Sequence, residues 1–263
     1  MILEFKNFFK TIKNYEIWFN MARAKLRVRF LRTKLGPIWE IIGTLILLLF
    51  IAIIWSKLWA KDFLVFFPYL FLGFVIWKSI VSIISDATML YSEIYKNVLE
   101  NVYIHPFVLC TAIVCKNIFI LIGFVLCSIL IIILTHKFFF LSIIFIIFYL
   151  LLFFITAISL TLIIATLCLR YRDMQHAINV ILNLLFFFTP IIWDAGQISE
   201  ANKKILIDTN LIYHYVEFFR STLLNGNPEI ITFLVVVIST LVLFLLALYT
   251  SSKFSRKLIF WLM

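Results

Sequence analysis

Four basic residues stand close together just before the first long apolar run: Arg27, Arg29, Arg32 and Lys34. Guanidinium groups present their N–H donors in a fork that matches phosphate oxygens, so this cluster is suited to phosphate binding. At the cytoplasmic face of a membrane, it could attract the diphosphate of a lipid carrier to an entrance. The alternative is that the cluster only anchors the chain and sets its orientation.

A second charged group, Arg170-Tyr171-Arg172-Asp173, separates two apolar segments of the chain. The segment that follows it ends in Phe186-Phe187-Phe188-Thr189-Pro190-Ile191-Ile192-Trp193. Proline interrupts a helix because it lacks an N–H and clashes with the preceding turn. The pattern therefore predicts a charged turn at one membrane face, followed by an apolar helix that stops at a proline–aromatic break.

Two lysines fall inside apolar runs, Lys78 after Trp77 and Lys116 further along the chain. A lysine in hydrocarbon is costly unless it reaches an interface, a partner or a wet cavity. We expect the long stem of Lys116 to reach the cytoplasmic interface. Lys78 lies deeper, so it lines a transport path, pairs with a neighbouring helix or reaches an interface.

The sequence carries no recognisable catalytic or metal-binding pattern. The four cysteines lie in apolar runs without zinc-type spacing, and the four histidines are scattered. With only six glycines, neither a phosphate-binding loop nor a dinucleotide fingerprint can be written. We therefore expect no enzyme activity, no cofactor, no metal and no nucleic-acid partner, and any energy from ATP must come from another subunit.

The composition places these residues in a membrane. Of 263 residues, 64% are hydrophobic and 14% charged, too few polar groups to cover a soluble protein. The apolar residues form blocks near the ~20 residues that cross the hydrocarbon layer as a helix. Strands of a barrel would instead alternate apolar and polar residues. The sequence predicts an all-α integral membrane protein.

Six membrane spans are predicted from these blocks. Their approximate limits are Pro37–Trp55, Phe66–Ser85, Phe107–Leu134, Phe138–Leu169, Ala177–Trp193 and Ile230–Ser251. An even number puts both termini on one side, and lysine and arginine favour the cytoplasm. With both termini inside, fifteen basic residues lie in cytoplasmic segments and six in outer ones. Residues 37–263 thus form the predicted six-helix domain, with both termini cytoplasmic.

The first 36 residues are predicted to form an amphipathic helix at the cytoplasmic interface rather than a secretion signal. Apolar residues recur every three or four positions from Phe5 to Phe30, with lysines and arginines on the other faces. Such a helix lies among headgroups with its apolar side down. Gly36-Pro37 is predicted to end it and to start the first span.

Residues 86–106 form a predicted cytoplasmic loop of mixed charge with interleaved aromatic residues. A short amphipathic helix of this kind would fit a groove on a motor domain, and the alternative is a plain solvated loop. The residues that we expect to couple to an ATPase are Glu93, Tyr95, Lys96, Asn97, Glu100 and Asn101, together with Arg170, Arg172 and Asp173.

The outer segment 194–228 is predicted to contain two short amphipathic helices divided near Asp208–Asn210. Ile212, Tyr215, Phe219 and Leu223 recur at helical spacing in the second one. These helices either cap the outer face or close the exit of a channel between two copies of the chain.

Several of these motifs together resemble the permease subunit of type-2 ABC exporters for lipid-linked polysaccharide. The matching pieces are Arg32-Thr33-Lys34-Leu35-Gly36-Pro37-Ile38-Trp39, Phe67-Pro68-Tyr69-Leu70, Val102-Tyr103-Ile104-His105-Pro106, Arg170-Tyr171-Arg172-Asp173, Thr189-Pro190-Ile191-Ile192-Trp193 and the ending from Phe254 to Leu262. One departure is Asn210-Leu211, where such permeases usually carry Asn-Pro.

The resemblance implies a pair of permeases with two ATPase subunits in the bacterial inner membrane. It implies export of an undecaprenyl-diphosphate-linked glycan, most often O-antigen, through a channel lined by aromatic residues. The lining candidates are Tyr69, Trp77, Lys78, Phe186, Phe187 and Trp193.

Other functions remain open from the sequence. The same machinery exports capsule or teichoic acid polymers, and the same fold serves drug or small-molecule exporters with a narrower path. A membrane-embedded polyprenyl-sugar transferase is a third class, but it needs clustered carboxylates, and no Asp-x-Asp pattern occurs.

Overall fold

The computed structural model describes residues 2–91, 104–135, 138–197 and 207–254, and the regular elements in these ranges are helices without any strand. In chain order they are α1 (Ile2–Lys13), α2 (Tyr15–Arg29), α3 (Ile38–Leu58), α4 (Phe63–Thr88), α5 (Pro106–Thr135), α6 (Leu141–Arg170), α7 (Met174–Phe188), α8 (Leu211–Asn225) and α9 (Ile230–Phe254). A short 3₁₀ turn covers Ala195–Gln197. The all-α membrane class is confirmed.

Five of the described helices are long and apolar enough to cross a membrane: α3, α4, α5, α6 and α9. The fifth predicted span, Ala177–Trp193, corresponds to α7, which has 15 residues and ends at Phe188. The helix stops there because Thr189-Pro190 breaks it, as the proline pattern predicts. Its length is below the ~20 residues of a regular span. The prediction of six spans is therefore not confirmed.

Helix α4 is the centre of the bundle, with α3, α5, α6 and α8 around it. Helix α9 packs on the outer side of α6 and α8. Hydroxyl groups join three of these helices, since Thr156 Oγ1 lies 2.8 Å from the Tyr215 hydroxyl and 2.9 Å from Thr240 Oγ1. Such hydrogen bonds between helices stabilise bundles in lipid, where burial of apolar surface adds little.

The N-terminal segment consists of two helices rather than the single one that its apolar periodicity predicts. Asn14 separates α1 from α2 and has non-helical torsions. Helix α2 also ends at Arg29, earlier than the predicted break at Gly36, and Arg32 adopts a positive φ of 68° in the turn that follows. A residue with this φ cannot continue a right-handed helix, so α2 does not extend through the turn to α3.

Helix α8 forms the described part of the outer segment and is predominantly buried. The Asn210 side chain accepts hydrogen bonds from the N–H groups of Ile212 and Tyr213, a standard N-cap. Leu211 thus takes the first helical position, where permeases of the resembling type usually carry proline. Helix α8 begins directly after the predicted division at Asp208–Asn210, while residues 198–206, where the first outer helix is predicted, lie outside the described ranges.

Candidate functional site

A cavity of about 760 Å³ lies between α2, α4 and α5. Its charged lining residues are Lys25, Arg29, Lys78, Asp86 and Lys116. Four cations and one carboxylate thus share a single cavity beside α2, the helix that we expect at the membrane interface. Such a site favours an anion.

Two of the cations already have carboxylate partners. Lys116 Nζ lies 2.6 Å from an oxygen of Asp86, which also accepts a hydrogen bond of 2.7 Å from Asn117. The ammonium group of Lys116 is therefore held by Asp86 on α4. Arg29 forms an ion pair with Glu40 at the start of α3. These pairs reduce the positive charge available to a ligand.

Lys78 has a different environment, because its hydrogen bond and its ring contact are made to neutral groups, with Glu40 and Arg29 as its charged neighbours. Its ammonium group donates a hydrogen bond of 2.5 Å to Thr44 Oγ1 on α3, and it lies 5.1 Å from the centre of the Phe124 ring. Lys78 and Val81 also line a second cavity of about 440 Å³. The two cavities therefore meet at Lys78 and form one groove along α4, which we call the α4 groove.

Beyond Lys78, the lining of the α4 groove is mainly aromatic and apolar rather than cationic. Its second cavity is lined by Trp39, Glu40, Gly43, Thr44, Leu47, Phe74, Trp77, Lys78 and Val81. The Trp77 ring lies 5.6 Å from that of Phe186 on α7, and the rings of Phe186 and Phe187 are 5.5 Å apart. An aromatic surface thus continues from the cationic cavity to α7.

Lys25 lies on α2, outside the long apolar helices, and its pKa is shifted by the cavity. Burial and the positive charge of Lys116 together lower the pKa of Lys25 to about 8, against the opposing effect of Asp86. A lysine is normally protonated well above this value. A bound anion would favour the protonated form of Lys25.

The remaining aromatic candidates lie near the outer end of α7. The Tyr69 hydroxyl donates a hydrogen bond of 3.2 Å to the carbonyl oxygen of Trp193, and the Trp193 indole donates one of 3.0 Å to the carbonyl of Phe187. Beside them, Asp194 and Lys61 form an ion pair of 3.1 Å. Burial raises the pKa of Asp194, but hydrogen bonds from the Gly196 N–H and Lys61 outweigh it, so the pKa lies below its ordinary value.

The predicted phosphate-binding residues do not all meet. Arg29 lines the cavity, whereas Arg27, Arg32 and Lys34 are exposed and are not among its lining residues. Sequence reasoning missed Lys25, although it stands four residues before Arg29 and so shares its helical face. It also missed the pairing of Lys116 with Asp86, for which no spacing rule exists because the two residues lie on different helices.

The predicted ATPase-coupling residues fall in two groups. Arg170, Arg172 and Asp173 are exposed at the turn between α6 and α7. Glu93, Tyr95, Lys96, Asn97, Glu100 and Asn101 lie outside the described residues. Within the ranges that the structure describes, no group of three or more histidine, cysteine or acidic side chains could hold a metal ion.

Comparison with known families agrees with this multi-helix membrane architecture. Residues 15–224 match ABC2_membrane, the ABC-2 type transporter family. The chain belongs to this family. A comparison with curated proteins finds no match. As an ABC-2 permease, the chain is the multi-pass membrane subunit of an ABC exporter, and the family implies that an ABC ATPase is its partner.

The family assignment agrees with the residues described above. An ABC-2 permease is a transport subunit and generally has no catalytic function of its own. The matched region contains α2 to α8, including both cavities of the α4 groove and the charged turn at Arg170–Asp173.

Proposed function

We propose that this ABC-2 permease exports a polyprenyl-diphosphate-linked polysaccharide of the O-antigen type across the bacterial inner membrane. The observation that carries this proposal is the α4 groove, which joins a cavity lined by cations to a surface lined by aromatic rings. Such a cargo has an anionic diphosphate next to a chain of sugar rings, and these two parts match the two parts of the groove.

The cationic end of the groove suits the diphosphate of a lipid carrier. Lys25, Arg29, Lys78 and Lys116 line it, and Lys78 makes its hydrogen bond to a hydroxyl group rather than to a carboxylate. Charge-assisted hydrogen bonds from ammonium and guanidinium groups to phosphate are among the stronger polar contacts in proteins. The exposed Arg27, Arg32 and Lys34 would add long-range attraction at the membrane surface.

The aromatic end suits sugar rings. Trp77 and Phe186 contact each other across α4 and α7, and Tyr69, Phe187 and Trp193 continue towards the outer end of α7. The C–H faces of sugars stack on aromatic rings, so a surface of this kind suits a glycan chain. A small-molecule exporter would not need this combination of diphosphate and sugar contacts.

The proposed assembly contains two permeases and two ATPase subunits, with both permease termini in the cytoplasm. In this arrangement, α7 is the sixth crossing and continues through the proline break to the outer face. The ATPase would contact the loop 86–106 and the charged turn with Arg170, Arg172 and Asp173. The outer segment 194–228 would close the exit.

Purification of the permease with its ATPase, followed by mass spectrometry of bound lipid, tests the proposed cargo. We expect a polyprenyl-diphosphate glycan that stimulates ATP hydrolysis after reconstitution. Lys78→Met should weaken binding of this glycolipid by about tenfold, the loss expected for one charge-assisted contact. Lys57→Met is the matched control, because Lys57 is exposed at the other end of α3.

Two results would contradict the proposal. One is a complex that binds no glycolipid and is stimulated only by small amphipathic compounds, as expected of a drug exporter. The other is an equal effect of Lys78→Met and Lys57→Met on glycolipid binding, which would remove the α4 groove from the path. If the bound lipid carries a capsule or teichoic acid polymer, the role proposed for the α4 groove stands and only the identity of the glycan changes.

A further inference from the structure

Arg220 on α8 is buried to a degree that is unusual for an arginine in a membrane protein. The residue is 1% exposed, and its Nη1 lies 3.0 Å from a carboxylate oxygen of Glu217, one turn earlier on the same helix. Its Nη2 donates a hydrogen bond of 3.1 Å to the carbonyl oxygen of Pro190. One guanidinium group thus connects α8 to the break that follows α7.

Helix α4 provides a fitted slot for this guanidinium group. The centre of the Tyr69 ring is 3.7 Å from Arg220 Cζ, a close cation–π contact. One turn further along α4, a Cβ atom added at Gly73 would overlap Arg220 Nη2. Glycine is therefore required at this position if the guanidinium group is to keep its place between α4 and the Pro190 carbonyl.

The segment from Pro190 to Asp194, which follows α7, has two further polar contacts, one with α4 and one with the residues just before α4. The Tyr69 hydroxyl binds the Trp193 carbonyl, and Lys61 pairs with Asp194. In contrast, Leu182 is the one buried side chain of α7. The position of α7 is thus defined mainly at its outer end, through the segment from Pro190 to Asp194.

A lysine at position 220 could not reproduce these contacts. An ammonium group could pair with Glu217, but it lacks the planar fork that reaches Glu217 and Pro190 at once while it contacts the Tyr69 ring. If Arg220 only balances the charge of Glu217, a lysine at this position would serve as well. If Arg220 holds the Pro190 carbonyl, a lysine would lose that function. This difference separates the two roles experimentally.

We propose that Arg220 is a positioning residue, which fixes the Pro190 carbonyl and thereby the placement of Ile192, Trp193 and the last turn of α7. Its role in transport, which is to hold the aromatic rings of Phe187 and Trp193 at the exit, rests on the proposed function. The placement itself does not depend on the cargo, so it can be tested without any glycolipid.

The test uses the full chain in lipid nanodiscs with a reporter cysteine in the positioned segment, Ile192→Cys. The native cysteines lie in α5 and α6, away from this segment. We expect Arg220→Lys and Gly73→Ala each to raise the maleimide labelling rate of the reporter by about tenfold, as local opening does. The double variant should label no faster than either single one, because both changes remove the same contact.

Matched controls separate this effect from general loosening. Arg23→Lys is the same substitution at an exposed site, and Gly196→Ala adds a methyl group that meets only ordinary contacts beside the segment. Both should leave the labelling rate unchanged. A second reporter, Asn227→Cys in the exposed turn after α8, should label equally in every variant.

Three results would overturn the assignment: unchanged labelling of the Ile192→Cys reporter in both variants, an equal rise at the Asn227→Cys reporter, or additive effects in the double variant. A glycolipid-binding failure in the wild-type complex would instead concern the proposed cargo and would leave the labelling result intact.

Discussion

Lys78 and Lys116 illustrate two ways in which an apolar helix accommodates a lysine. Lys116 is 7% exposed and pairs with Asp86, so its charge is balanced inside the protein. Lys78 donates to a threonine hydroxyl and faces the α4 groove. Removing one partner of a buried pair leaves an uncompensated charge, whereas a lysine beside a cavity can exchange neutral partners for a ligand. Lys78 is thus the better candidate for ligand binding.

Lys25 should give anion binding a pH dependence near neutrality. Its pKa is lowered to about 8, so the side chain is mostly charged at pH 7 and mostly neutral at pH 9. We expect the affinity for a short lipid diphosphate, such as farnesyl diphosphate, to fall as pH rises through this interval. Equilibrium binding to the purified complex at several pH values measures the effect.

Lys25→Met is the control for titration of the probe itself. This variant should bind the diphosphate more weakly at pH 7 and should lose the part of the pH dependence that comes from position 25. Identical pH profiles for the wild type and Lys25→Met would contradict the placement of Lys25 in the binding cavity.

At the scale of elements, α1 is attached to the bundle by the buried Phe8 ring, which contacts Phe107 and Phe244, and by one buried carboxylate. An oxygen of Glu4 accepts a hydrogen bond of 2.6 Å from Ser251 on α9 and lies 3.2 Å from His105 Nε2, just before α5. Burial lowers the pKa of His105 although Glu4 raises it, so at pH 7 a neutral imidazole donates to Glu4. Its Nδ1 accepts from the Phe107 N–H at 3.3 Å. Three elements therefore meet at this carboxylate.

Glu4→Ala should loosen α1 without unfolding the bundle, because the packing of Phe8 against Phe107 and Phe244 remains. The change leaves the Ser251 hydroxyl and the His105 N–H without their acceptor, at a cost of about 1–3 kcal/mol. We expect amide hydrogen exchange in α1 to become about tenfold faster or more, while exchange in α4 stays the same. Glu16→Ala on α2 is the control, since Glu16 is exposed. Equal exchange in the two variants would show that the Glu4 contacts do not hold α1.

The sequence could predict some of these elements and not others, for identifiable reasons. Long apolar runs predict α3, α4, α5, α6 and α9, because each run alone is long enough to cross the hydrocarbon layer. Apolar periodicity also runs through Asn14, so it does not reveal that α1 and α2 are separate helices. Proline at 190 marks the break after α7 but not that the helix already ends at Phe188.

The candidate site was less predictable because its residues come from distant parts of the chain. Lys25, Lys78 and Lys116 lie on three helices, and only their packing makes one cavity of them. The cluster from Arg27 to Lys34 is dense in sequence, yet the turn after α2 places Arg32 and Lys34 away from that cavity. Basic residues that are close together in the sequence therefore need not be close together in the folded protein.

At the scale of the whole molecule, α3 and α7 present wide apolar faces that the described chain does not cover. The exposed residues of these faces are Ile46, Leu47, Phe50, Ile53 and Ile54 on α3, and Val180, Ile181, Leu184, Phe187 and Phe188 on α7. Lipid could cover them, but the α4 groove opens beside them and carries Lys78 and Glu40. Charged groups facing lipid are costly, so a second copy of the chain is the better cover.

A cysteine pair tests this arrangement in native membranes. If α3 of one copy packs against α7 of the other, the variant Phe50→Cys/Leu184→Cys should form a covalent dimer on oxidation. The control pair Phe50→Cys/Leu241→Cys places the second cysteine on α9, where Leu241 is similarly exposed. A dimer from the control pair, or from neither pair, would contradict pairing through α3 and α7.

The cationic cavity has one wall that is not a candidate membrane span, because α2 carries five charged residues among its 15 and lies against α5. A lipid-borne cargo could therefore slide sideways out of the inner leaflet, its phosphates passing under α2 while its tail stays dissolved among neighbouring acyl chains. The leaflet would then act as the reservoir that feeds the transporter, and supply would follow the two-dimensional density of carrier rather than its concentration in water.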